Sequence, residues 1–131
     1  MTKYMIPIAL GLAVPIGLAY LGLTKTLGAH IWWDVKTIVI GAPFGVALAF
    51  LPLPRALRLF GCLAIALLAF GAAKYGQTQF AASYAEDALA GKLWYFGWIL
   101  CGVGFAALIS TVSQRESNVQ TICARSCRAE C

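Results

Sequence analysis

The chain has 131 residues, 61% of them hydrophobic and only 11% charged, with a formal net charge of +5. Soluble domains carry roughly 45–50% apolar and about 25% charged residues, so this chain has too little charge to cover a globule and too much apolar surface for one core. That excludes a soluble enzyme, a disordered tail and a disulfide-stapled secreted module, and leaves a small all-α polytopic membrane protein.

A helix crosses a bilayer core of ~30 Å with ~20 predominantly apolar residues. The first such stretch covers about residues 5–23 and carries no charge. Behind Lys3 it has the look of a signal peptide, but the run exceeds the usual apolar region and no small-residue cleavage pattern follows, so a retained helix is predicted. Pro15-Ile16-Gly17 lies near its middle, where proline removes a hydrogen bond and kinks a helix. Ala13 and Gly17 form a small-residue seam at four-residue spacing.

A short loop follows, with His30, Trp32 and Trp33, and then Asp34 and Lys36 at the start of a second span over residues 35–51. Gly41, Gly45 and Ala49 make its seam, and Pro43-Phe44-Gly45 repeats the kink pattern of the first span. Paired interrupted helices expose backbone carbonyls to substrates in many transporters. No matching pair occurs in the later spans, so kinked packing is the expected role. Pro52-Leu53-Pro54 forms a tight turn, which predicts an antiparallel hairpin with a third span over residues 56–73. That span has Arg58 in its first turn, Cys62 as a packing residue, and an Ala69/Ala73 seam.

The third loop, Lys74 to Lys92, is the only one with room for structure. Phe80, Tyr84 and Ala88 recur at four-residue spacing, with Glu86 and Asp87 on other faces, which predicts a short amphipathic helix on the membrane surface. The fourth span, over residues 93–109, begins with Trp94, Tyr95 and Trp98 and carries a Gly97/Cys101/Gly104 seam. Residues 1–112 thus form a four-helix transmembrane domain, and residues 113–131 a polar tail. In that tail Cys123, Cys127 and Cys131 follow a C-x3-C-x3-C spacing; three thiols are an incomplete set for structural zinc.

No span alternates as barrel strands do, and each is apolar all round. With four spans both termini share a side. That side and the Pro-rich turn hold six basic residues against four in the other loops, and all five arginines lie there. The positive-inside rule then predicts cytoplasmic termini in a bacterial inner membrane. All four tryptophans lie on the other side. Trp32, Trp33, Phe80, Tyr84, Trp94, Tyr95 and Trp98 are predicted to form an outer aromatic rim.

The sequence predicts no catalytic residue, metal site, cofactor or nucleic-acid partner. No ionisable group lies at mid-depth, where a proton-coupled exporter buries a carboxylate. His30 is the single histidine, and no nucleotide, hydrolase or metalloprotease motif occurs. Small-residue seams on every span exceed what one bundle consumes. The leading expectation is a non-enzymatic accessory subunit of a larger membrane complex, bound to lipid and to other subunits or copies of itself. A small homo-oligomeric transporter or holin-like pore is the alternative, and a membrane-embedded immunity or inhibitor protein the third.

Overall fold

The computed structural model describes the backbone of residues 2–129 and the side chains of residues 4–114. The described residues are all-α, with five helices: α1 (Thr2–Tyr20), α2 (Leu23–Thr26), α3 (Asp34–Ala49), α4 (Arg55–Ala82) and α5 (Ala88–Ala129). Two segments are long and apolar enough to cross a membrane, Arg55–Ala82 and Ala88–Gln114. α1 and α3 are shorter, and at 1.5 Å per residue the 16 residues of α3 reach only about 24 Å. α5 runs without a break through the position where the sequence suggests a tail.

The helices alternate in direction, and α5 is the hub. It packs against α1, α3 and α4, whereas α3 and α4 share no comparable interface with each other. The two helices of the predicted hairpin run antiparallel but do not pack on each other. Their short connection turns the chain back, but each then packs on a different side of α5. Glycines explain why. A Cβ on Gly45 would meet the Val103 carbonyl and lie 2.8 Å from Ala106 Cβ and 3.0 Å from Ala107 N. On the other side, a Cβ on Gly97 would lie 2.9 Å from Ala73 N, and one on Gly104 would lie 2.8 Å from Ala66 N. Backbone therefore touches backbone on two faces of α5, the geometry that small residues permit where lipid supplies no hydrophobic drive between helices.

The interior is correspondingly small in grain. The largest fully buried side chains are Thr37, Thr111, Pro7 and Ser110, and Ala42, Ala49, Ala73, Ala106 and Ala107 are buried completely. Large apolar residues point outward instead, with Phe44, Phe60 and Leu68 respectively 67%, 72% and 75% exposed. A soluble core has the opposite order.

The predicted amphipathic helix over residues 77–91 is not present as a separate element. α4 continues to Ala82, and the chain turns at Ser83–Asp87 before α5 begins. Tyr84 and Ala85 adopt left-handed backbone (φ 53° and 69°). The Ala85 N–H donates to Phe80 O and the Tyr84 N–H to Ala81 O, a paired helix-ending motif. The Asp87 carboxylate then caps α5, accepting from the N–H groups of Leu89 (2.9 Å) and Ala90 (3.1 Å).

Pro7, Pro15 and Pro43 all lie inside continuous helices. Pro15 is buried and Pro43 exposed. A Cβ on Gly17 would meet nothing within 4 Å, so the Ala13/Gly17 seam is not filled by this chain.

These contacts predict opposite outcomes for two glycine substitutions. Gly45→Ala forces α3 away from α5 and lowers stability by about 1–3 kcal/mol. Gly17→Ala is neutral or stabilising by up to about 1 kcal/mol, because it removes a helix-interior glycine without a clash. Thermal unfolding in mild detergent, followed by circular dichroism, reads both.

Candidate functional site

The end of the bundle at which α1 finishes and α3 and α5 begin carries an aromatic cluster. His30 stacks on Trp33 (centroids 5.8 Å, 19° between planes) and meets the edge of Trp94 at 5.7 Å. Trp33 in turn contacts Trp94 at 5.2 Å and Tyr95 at 5.1 Å, both edge-to-face. Phe80 lies 5.9 Å from Trp94. These five rings are all half-exposed and come from the loop before α3, the end of α4 and the start of α5, with Tyr95 extending the chain of contacts to a sixth, Phe96. Such offset and edge-on pairs contribute about 0.5–1.5 kcal/mol each beyond area burial.

Gly28 anchors the cluster. Its left-handed backbone (φ 102°) turns the loop, and its carbonyl accepts a 3.1 Å hydrogen bond from Trp94 Nε1. A Cβ there would crowd Lys74 Nζ at 2.9 Å and Gln77 at 2.5 Å. Lys74 donates to Gln77 Oε1 (2.9 Å) and to Leu27 O (3.3 Å), tying α4 to the loop. Nearby, Asp34 is only 4% exposed and sits 3.7 Å from Lys25 Nζ. It is a buried carboxylate at a helix start, where the helix dipole favours negative charge.

The predicted rim residues do not share one environment. Trp33, Phe80, Trp94 and Tyr95 belong to the cluster. Trp32 and Tyr84 project outward, 74% and 93% exposed. Trp98, placed on the rim by residue type, is instead buried (3% exposed) with Ala19, Ile38 and Ala73 and meets Phe70 edge-on at 6.1 Å. Nothing in the sequence marks Gly28 as a cluster member, and only proximity to Trp32 and Trp33 marks His30.

The opposite end has a smaller polar tie. Arg58 Nη1 and Gln114 Nε2 both donate to the Ala49 carbonyl at the end of α3, the latter at 3.2 Å, and Arg58 also reaches Gln114 Oε1 at 3.4 Å. A guanidinium at a helix C-terminus offsets its partial negative charge. Arg58 thus turns into the protein at its span end and joins three helices. Higher up, Ser110 Oγ donates to Pro7 O at 3.1 Å.

Of the small-residue positions, Gly41, Gly45, Ala49, Gly97 and Gly104 all face partners inside the chain, and the Cys101 thiol lies 3.8 Å from Ala66 O. No group of three or more potential metal ligands occurs among the described residues. The Cys123/Cys127/Cys131 side chains lie outside the described residues.

Two substitutions probe the two ends. Trp94→Phe keeps the ring but leaves the Gly28 carbonyl without its donor, and should cost about 1 kcal/mol. Arg58→Met leaves Gln114 alone on the Ala49 carbonyl and should cost about 1–3 kcal/mol, with Arg58→Lys recovering part of it. Denaturation midpoints in detergent check both. No family model, no curated protein and no solved structure matches this chain.

Proposed function

We propose that this protein is a non-enzymatic integral membrane protein that crosses the bilayer four times, with α1, α3, α4 and α5 as its spans, and serves as an accessory subunit of a larger membrane complex. Membrane insertion is supported by the two long apolar helices and by the outward placement of large apolar side chains. The short α1 and α3 are extended at their ends by Leu21, Leu23, Leu51 and Leu53, all exposed apolar residues. The charge bias of the loops orients both termini to the cytoplasm of a bacterial cell.

One observation carries the subunit reading. Only 17% of the most apolar stretch of α4 is buried, against 56% for α5. On the outward face of α4, Gly71 has nothing within 4 Å of where a Cβ would lie, and Leu67, Leu68 and Tyr75 are exposed around it, whereas Gly61 borders the gap towards α3. Glycines are retained in spanning helices where a neighbour approaches closely, and on this face the chain itself supplies no neighbour. The seams of α3 and α5 are consumed internally, so a partner helix is expected on α4.

Gentle detergent extraction followed by native mass spectrometry tests this reading. A stoichiometric complex with other chains, lost in a Gly71→Leu variant that keeps its helical spectrum, is the expected result. A pure homo-oligomer that leaks dye from liposomes overturns it in favour of a pore. Alkylation of Cys127 by an impermeant thiol reagent in intact cells would invert the orientation.

A further inference from the structure

Because α1 and α4 both lean on α5 and share no comparable interface, a partly open cleft of about 220 Å³ runs between them. Its floor is Trp98, Cys101 and Phe105 of α5, and Leu18 and Phe70 stand on opposite walls. A flexible hydrocarbon chain, whose methylenes follow the bends of an irregular apolar slot, suits such a space. The surface of the cleft is almost wholly apolar, and the polar atoms of its two polar-tipped residues, Thr24 Oγ1 and Trp98 Nε1, are themselves buried with no hydrogen-bond partner in the protein.

The outer end of the cleft has an unneutralised cation. Lys74 lies one turn beyond Phe70 on α4, and its ammonium touches the carbonyl of the cleft residue Leu27. It also donates to a neutral amide, Gln77. The nearby Lys25 is already matched by Asp34, which forms the one ion pair among the described residues. An apolar slot with an ammonium beside one end, bonded to Leu27 O and paired with no carboxylate among the described residues, complements a molecule with a hydrocarbon tail and an anionic head.

We propose that this cleft holds one acyl chain of an anionic phospholipid, with the phosphate on Lys74. The proposal rests on the membrane-spanning reading above. Native mass spectrometry of the purified chain, titrated with phosphatidylglycerol or phosphatidylcholine, tests it. Wild type should retain one phosphatidylglycerol per chain, bound about fivefold more tightly than phosphatidylcholine, the ratio that one lysine near a lipid surface supplies. Lys74→Gln should bring the ratio close to one. Leu18→Trp and Cys101→Phe fill the cleft from two sides, and each should reduce retention of both lipids at least fivefold.

Unchanged selectivity in Lys74→Gln, or unchanged retention in a cleft-filling variant with a native helical spectrum, overturns the proposal. So does a wild-type dimer, free of lipid, that Leu18→Trp dissociates, because side chains of a second copy then fill the cleft. Alkaline carbonate washing of membranes separates the two levels. Release of the chain refutes the spanning reading itself, whereas retention with unaltered lipid binding refutes the cleft alone.

Discussion

Everything in this bundle depends on how closely the other helices come to the backbone of α5. Dispersion attraction fades within an ångström of the optimal distance, and helices in lipid have little else to draw them together. Gly41 and Gly45 bring α3 onto α5 from Ile99 to Ala107, and Gly97 and Gly104 bring α5 onto α4 at Ala73 and Ala66. These contacts involve main-chain atoms on both sides, so there is no flexible side chain to absorb an added methyl group. The close approach also fixes the architecture. A helix occupied on two faces by backbone neighbours stands between them, and α3 and α4 cannot then pack on each other despite their short connection.

The polar ties follow the same plan. Trp94, Ser110 and Gln114, all on α5, donate to carbonyls of Gly28, Pro7 and Ala49 respectively. One lies in the loop before α3, one in α1, and one at the end of α3. Two of these carbonyls, Gly28 and Ala49, lie at breaks in regular structure, where an added donor has most to satisfy, and Pro7 lies inside α1. Arg58 adds α4 to the tie at Ala49. The central helix therefore fixes depth and rotation of its neighbours with hydrogen bonds at the ends, and sets separation with small residues in between.

The sequence made much of this legible, for physical reasons that also mark where it fell short. Apolar length showed helices, and four-residue spacing picked out Gly41, Gly45, Gly97 and Gly104 as contact positions. Spacing does not say which helix answers a seam. On α5 the residues facing α3 (Gly102, Ala106) alternate with those facing α4 (Gly97, Cys101, Gly104), and a linear reading sees one seam where there are two. The end of α4 was hidden because its left-handed position holds Tyr84 in place of the usual glycine. The Phe80/Tyr84/Ala88 spacing then read as one helix across a turn. Asp87 was a legible cap in isolation, but the competing periodicity overrode it. Trp98 was placed by residue type, and its burial depended on the small residues Ala19 and Ala73 around it.

The clefts are a consequence of the same chemistry. Protein interiors are normally filled to crystal-like density, and a hub helix with three neighbours reaches that density only along the lines where each neighbour touches it. Between the neighbours the gap closes only if large side chains bridge it. Here the residues at the right height are small or turned outward. Gly61 and Cys62 stand at the α3–α4 gap of about 90 Å³, and Ala66 and Thr24 at the larger α1–α4 gap. Small residues that let α4 press against α5 leave nothing to span the distance to α1. In water such gaps would fall under hydrophobic collapse. On the membrane-spanning reading the surrounding solvent is itself hydrocarbon, so filling these gaps falls to the medium and needs no further side chains.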